Sequence, residues 1–311
     1  MSLDPNLKVM LDQLAAAGGP GMQDQSVEEA RVAIRMLGML DGEPEPVSSV
    51  EERTIPGPAG PIPVRLYRPA DAPEDAVLPV LAWFHGGGFV IGDLETADPT
   101  ARKLANRSGA LVVSVDYRLA PEHRMPAAAD DCSAVVEWLA VNAGELGGDP
   151  TRIAVGGDSA GGNVAAVAAL RAAAAGIELR AQALVYPVID LRMQTPSYRE
   201  NADGYLLTAA GMAWFVAHYL GDDGDPLDPA VTPLLAESVA GAAPAIVVTA
   251  GFDPLRDEGI AYAERLGAEG VKVQHSHYPD MIHGFAVMGT ITPRSVEMLT
   301  AVGGDLRDLL A

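Results

Sequence analysis

Val155-Gly156-Gly157-Asp158-Ser159-Ala160-Gly161-Gly162 places a serine midway between Gly157 and Gly161. The apolar run Arg152-Ile153-Ala154-Val155 before it reads as a strand, and the alanine-rich run Asn163–Ala175 after it reads as a helix. A serine hydroxyl is a weak nucleophile unless the backbone presents it to a base. A tight strand-to-helix turn does this, and it tolerates only small residues two positions before and after the serine. The stretch therefore predicts an α/β fold with Ser159 at the carboxyl end of a strand.

Working outward, apolar runs recur at Val50–Ile55, Ile62–Tyr67, Val80–Phe84, Leu111–Val115, Ile153–Val155, Ala183–Tyr186, Ile246–Thr249 and Val271–His277. The first two flank Pro56-Gly57-Pro58-Ala59-Gly60-Pro61, a turn-rich connector that suggests a hairpin. Helical stretches separate most of the others. Eight strands, antiparallel early and alternating with helices later, predict a mostly parallel sheet flanked by helices. Active groups in such sheets collect at the carboxyl ends of the strands.

A serine nucleophile needs donors for a developing oxyanion, a base, and an acid to orient the base. His85-Gly86-Gly87-Gly88-Phe89 follows the strand ending at Phe84, and its glycines let backbone N–H groups approach a substrate oxygen. The base is sought among six histidines: His85, His123, His218, His275, His277 and His283. His85 belongs to the glycine run and His218 lies within a helical stretch. His275 and His277 share a strand face, a metal-like spacing with no carboxylate or cysteine pattern to complete it. His283 comes just after the last strand, on the edge that carries Ser159, and is the preferred base. For the acid, Asp253 directly follows the strand Ala245–Ala250, while Asp257 lies a turn further on and Asp190 is more distant.

Two amphipathic helices open the chain. Asp4-Pro5 starts the first, with Leu7, Met10, Leu11 and Leu14 on one face before Gly18-Gly19-Pro20. Ser26-Val27-Glu28-Glu29 is a capping box for the second, with Val27, Ala30, Ile34 and Leu37 at helical spacing. Spacing alone leaves open whether these helices merely pack or cover a pocket. The segment Pro187–Ala243 is long for one crossover and carries a predicted helix, Ala209–Leu220, with Met212, Phe215, Val216 and Tyr219 on one face. Insertions of this size above a catalytic edge commonly act as lids.

The chain has 311 residues and a net charge of −21, from 21 basic and 42 acidic residues, which argues against a nucleic-acid partner. No apolar run approaches the roughly 20 residues needed to span a bilayer. The N-terminal residues lack a basic, then apolar, leader pattern, and the one cysteine, Cys132, suits a reducing compartment. The expected location is the cytoplasm.

His85-Gly-Gly-Gly-Phe89, Tyr117-Arg-Leu-Ala-Pro-Glu122, Gly157-Asp-Ser-Ala-Gly161, Asp253-Pro-Leu-Arg-Asp257 and His283-Gly-Phe285 together resemble the hormone-sensitive-lipase-type carboxylesterases of the α/β-hydrolase superfamily. The likeness runs from about Ile62 to the end, in the family's order and approximate spacing. It implies Ser159 as nucleophile, His283 as base and Asp253 as acid, with oxyanion donors from the amides of Gly87, Gly88 and Ala160. His85, Gly86 and Asp158 would support these motifs.

The resemblance further implies a cap made of residues 1–45 and part of 187–243 over a catalytic domain of residues 46–311. No cofactor or metal is implied; the substrate is a small ester, and a homodimer is the expected assembly. One departure is Thr232, where many relatives have serine before a proline; it keeps a hydroxyl and so the same expected structural role. Tyr117–Glu122 is expected to brace the loops beneath the site through buried pairing. An amidase, lactonase or carbamate hydrolase uses the same machinery, and a ligand-binding relative without activity is the alternative outside the enzymes.

Overall fold

The computed structural model describes residues 2–311, without the side chains of Leu37 and Met39, so the Leu37 position of the second helix lies outside the described residues. Its strands are β1 (Ser49–Gly57), β2 (Gly60–Arg68), β3 (Leu78–Phe84), β4 (Leu111–Val115), β5 (Gly148–Asp158), β6 (Ala181–Val185), β7 (Ala245–Phe252) and β8 (Val273–Ile282). They form one sheet in the order β1-β2-β4-β3-β5-β6-β7-β8. β2 is antiparallel to both neighbours, and the pairs from β4 to β8 are parallel. The eight-stranded, mostly parallel α/β sheet expected from the sequence is present.

Alternation along the strands divides the core into two layers. In β3, Val80, Ala82 and Phe84 face one layer while Leu81 and Trp83 face the other. The first layer is covered by α4 (Ala127–Asn142), α5 (Ala160–Ala174) and α8 (Arg256–Ala268). The second is covered by α3 (Leu94–Ser108) and α9 (Pro293–Leu310). Burial on both faces explains why the central strands read as continuous apolar runs. Helix α5 is buried throughout Ala160–Ala169. Its alanines let it lie close to the sheet beneath the serine turn.

Several strand boundaries differ from the sequence reading. β1 and β2 run into the Pro56–Pro61 connector, with Pro56 opposite Pro61 and only Pro58-Ala59 left as the turn. Proline is accommodated because β1 is an edge strand. β5 begins early, at Gly148, and its pairing with β3 jumps from Leu78↔Gly148 to Val80↔Ile153. β8 extends past His277 to Ile282, opposite Phe252 of β7. That extension delivers His283 directly off the strand end.

Helix α1 (Pro5–Ala17) is capped by Asp4, which accepts from the amides of Asn6 and Leu7. Only Leu7 on its apolar face is fully buried, and Leu14 is 50% exposed. Helix α2 (Val27–Gly38) has the expected reciprocal Ser26–Glu29 cap. From α2, Arg31 forms a two-pronged pair with Glu122 and donates to the carbonyls of Val90 and Ala120. The Glu122 pair is therefore at the surface, not buried as expected, because its partner comes from the opening helices. Arg118 makes the inward pair, to buried Asp131.

After β6 the chain forms α6 (Pro196–Glu200) and α7 (Ala209–Leu220) before returning to β7. This segment is fastened to the start of α8. Buried Glu258 accepts from the amides of Ile189 (2.7 Å) and Asp190 (3.2 Å). Ser197 donates its hydroxyl to the Pro254 carbonyl at 2.6 Å, and Asn201 donates to that of Asp253 at 3.1 Å. Thr232 keeps the expected hydroxyl role, donating to the Pro226 carbonyl (2.7 Å) and accepting from Leu191 N (3.3 Å). Among the described residues no helix is long and apolar enough to cross a membrane.

Burial pushes the Glu258 carboxyl well above the usual range, outweighing its two amide bonds, and the charges of Asp190 and Asp253 push the same way. The folded protein thus holds a proton on Glu258 at pH values where the unfolded chain has lost it. Its contribution to stability is highest in acid and falls as pH rises above the unfolded value of about 4.3. Glu258→Gln keeps an acceptor for both amides and has no proton to lose. Its melting temperature relative to the parent is expected to rise between about pH 4 and pH 8. Scanning calorimetry across that range checks this, and a pH-independent difference would show that Glu258 is not held protonated.

Candidate active site

The turn between β5 and α5 leaves no room for side chains at its glycines. A β-carbon on Gly157 would collide with the Gly161 backbone, and one on Gly161 with the carbonyl oxygens of Phe84 and His85. Between them Ser159 adopts φ 56° and ψ −119°, a left-handed conformation unfavourable for a non-glycine residue. The surroundings hold it there. Its N–H donates to the Val185 carbonyl at 2.9 Å, and its own carbonyl accepts from Val188 N at 3.0 Å and Asn163 N at 3.2 Å.

The Ser159 hydroxyl lies 2.9 Å from His283 Nε2, and His283 Nδ1 lies 2.8 Å from Asp253 Oδ2. The other oxygen of fully buried Asp253 accepts from Leu255 N at 2.8 Å. A carboxylate against Nδ1 favours the proton on that nitrogen, leaving Nε2 as acceptor for the serine hydroxyl. Asp253 and His283 stand at the ends of the neighbouring strands β7 and β8, and Ser159 stands at the end of β5.

The other acid candidates lie elsewhere. Asp257 accepts from Ser197 N and Arg256 Nε, both at 2.8 Å, and Asp190 is paired two-pronged with Arg192. His275 and His277 both contact the Thr249 hydroxyl, at 2.8 and 2.9 Å.

The glycine loop is held from below. Buried His85 stacks on Tyr117 with ring centroids 4.4 Å apart, and its Nδ1 donates to the Gly86 carbonyl at 2.7 Å. Burial lowers its pKa, keeping the ring neutral. Tyr117 donates its hydroxyl to the His85 carbonyl at 2.7 Å, which is how the Tyr117–Glu122 run braces the site. Gly86 N donates to Asp158 Oδ1 at 3.1 Å.

Gly87 (φ 119°) and Gly88 (φ 58°) need glycine's freedom, and among the described residues their amides have no protein acceptor. The Ala160 amide opens α5, where helix N–H groups have no intrahelical partner. Asp158, partly buried beside the serine, has its pKa pushed up to about 6 by burial, against the opposing pull of His283 and the Gly86 amide.

A cavity of about 190 Å³ opens above these groups, with Gly87, Gly88, Ser159 and His283 at its polar end. Its walls are largely apolar: Met22 and Ile34 come from the opening segment, Met212 and Phe215 from α7. Helix α7 carries the aromatic residues Trp214, Phe215 and Tyr219. Only Phe215 lines the cavity, because Trp214 packs against His218 and Tyr219 stacks beneath the glycine loop. Tyr186 was missed. It follows β6 at φ 35°, lines the cavity, and sets its ring 4.7 Å from that of His283. Its place just past a strand on the catalytic edge was the available signal.

A match to the α/β-hydrolase fold family spans residues 81–287. The chain is 42% identical over 292 residues to the carboxylic ester hydrolase LipN of Mycobacterium tuberculosis, covering 91% of this chain and 77% of LipN. It is 38% identical to the ethyl acetate hydrolase of Pseudomonas putida, covering 97% and 98% of the two chains. The solved structure of a hyperthermophilic esterase from Pyrobaculum calidifontis superposes with a TM-score of 0.91 at 41% identity, covering 99% of each chain. The chain belongs to the α/β-hydrolase family, in its hormone-sensitive-lipase-type branch.

A fluorophosphonate, which reacts with activated serines, is expected to label the protein once, at Ser159, whose hydroxyl lies 2.9 Å from His283 Nε2. Mass spectrometry of the labelled protein reads the result, and labelling at another residue, or none, would contradict this geometry.

Proposed function

We propose that this α/β hydrolase is a serine carboxylesterase that cleaves short- to medium-chain esters through an acyl-enzyme. The observation that carries the reading is the continuous hydrogen-bonded chain from the Ser159 hydroxyl through His283 to Asp253. His283 Nε2 takes the hydroxyl proton as Ser159 Oγ attacks the ester carbonyl carbon. Asp253 keeps the imidazole in the required tautomer and stabilises its charged form. The amides of Gly87, Gly88 and Ala160 receive the carbonyl oxygen as it becomes an anion. Collapse of the intermediate breaks the bond to the alcohol, which leaves with the proton from His283. A water then gives its proton to His283 and attacks the acyl carbonyl, and the acid departs as Ser159 recovers its hydrogen.

Residues 1–45 and part of 187–243 act in this reading as a cap over residues 46–311. Met22, Ile34, Met212 and Phe215 in the cavity wall support that role. An apolar cavity of this limited volume favours modest acyl groups, each buried methylene contributing about 0.8 kcal/mol until the space is filled. The similarity to an ethyl acetate hydrolase agrees with a short-chain preference. We place the enzyme in the cytoplasm, since its single cysteine suits a reducing compartment, and expect the homodimer implied by the family.

Asp253→Asn is expected to lower turnover of a soluble aryl ester by about 10⁴-fold, since it disturbs the His283 tautomer. Asp257→Asn is expected to cost less than about tenfold, its partners being Ser197 and Arg256. Steady-state kinetics on the two variants separates them, and the reverse order would reassign the acid. Across esters graded by acyl length, the rate is expected to peak at about four to eight carbons. Faster hydrolysis of emulsified long-chain fats would refute the capped-pocket reading.

A further inference from the structure

Two ring contacts run from α7 to the glycine loop. The Phe215 ring lies over Gly88, so closely that a β-carbon there would come within 2.8 Å of Cδ2 and nearer still to Cγ and Cδ1. One residue on, Phe89 is buried with φ 66°, unusual for a bulky residue. Its ring stacks on that of Tyr219, with centroids 3.9 Å apart and planes 7° from parallel. Phe215 and Tyr219 are one turn apart on the same face of α7. The helix is itself anchored: the Tyr219 carbonyl accepts from Met125 N at 3.0 Å, and Met22 packs beside Gly211.

Elsewhere the loop is fixed by hydrogen bonds. Gly86 is tied to Asp158, the Gly87 carbonyl accepts from the amides of Val90 and Ile91, and the Phe89 carbonyl accepts from Ala120 N. Gly88 has no such tie among the described residues. Two consecutive glycines at positive φ have the most conformational freedom a chain can have. Gly88 is covered by the Phe215 ring, whereas a β-carbon on Gly87 would meet the Ile91 backbone.

We infer that α7, through Phe215 on Gly88 and Tyr219 on Phe89, is the positioning element that aims the Gly87 and Gly88 amides. Phe215 is a positioning residue with two duties, because it also walls the substrate cavity. The pocket wall and the oxyanion donors are then one mechanical unit. A group that pushes Phe215 aside loses transition-state stabilisation as well as fit, so oversized substrates are rejected in kcat and not only in binding. The inference rests on the proposed ester hydrolysis with Gly87 and Gly88 as donors.

The test compares the parent enzyme with Phe215→Ala and Phe215→Leu on 4-nitrophenyl acetate and hexanoate. It also measures affinity for an alkyl trifluoromethyl ketone, whose adduct with the serine places an oxyanion among the donors. Removing one oxyanion donor costs about 10²–10³ in kcat, so misaiming is expected to cost Phe215→Ala about 10- to 30-fold. The loss is expected to be equal on both esters, with KM little changed and ketone affinity falling in proportion.

Leucine retains a Cγ and two Cδ atoms, the atom positions that face Gly88, and is expected to restore most of the rate. Should the alanine variant not fold, Phe215→Val, which lacks the Cδ atoms, takes its place. Unchanged kcat on acetate with an altered KM for hexanoate alone, or unchanged ketone affinity, overturns the inference and leaves Phe215 as wall only. Absence of turnover and of ketone binding in the parent enzyme overturns the underlying hydrolase reading, and this inference with it, before any variant is compared.

Discussion

The site depends on how tightly the chain turns between β5 and α5. Backbone of the turn, of α5 and of the end of β3 meet at Gly157 and Gly161, where not even a methyl group fits. That crowding holds Ser159 at φ 56° and lifts its hydroxyl to the carboxyl edge of the sheet. The cost of such a conformation, of order 1–3 kcal/mol, is offset by the amide bonds on both sides of the serine and by the buried length of α5. The parallel sheet then supplies the partners, because β7 and β8 end on the same edge as β5.

Around this fixed point the polar groups are arranged by degree of burial. Asp253 is fully buried with both oxygens occupied, which leaves it one orientation and gives His283 one. His85, equally buried, is kept neutral and works as a stacked support. Asp158 is intermediate: burial pushes its carboxyl up to about 6, and it ties the glycine loop to the serine turn. Glu258 lies deeper, joining the long segment after β6 to the helix that follows Asp253.

Residues at strand ends were legible from the sequence, because strand periodicity followed by glycine or a reactive side chain is a local pattern. Ser159, Asp253 and His283 each directly follow the last residue of a strand. The eight strands were legible for the same reason, while their limits were not where pairing overrode composition. Pro56 and Pro61 became strand residues because they face each other at a sheet edge. Contacts made only by packing were hidden. Nothing near Phe215 in the chain announces that its ring will cover Gly88, and nothing near Glu122 announces Arg31. The positive φ of Tyr186 likewise arises from what surrounds it, not from its neighbours in sequence.

The hairpin of β1 and β2 has a consequence for life in a crowded solution. A sheet that is not closed into a barrel presents unpaired backbone at its sides, a template on which another chain can add a strand and start an aggregate. On the β1 side that template is spoiled. Val50 to Thr54 is largely exposed, Glu51, Glu52 and Arg53 bring charge, and Pro56 removes a donor. A second chain approaching that side meets like charge and an interrupted ladder, and the acidic surface as a whole repels it further. The prolines that blurred the hairpin in the sequence thus act as gatekeepers, keeping the β1 side of the sheet from recruiting strangers.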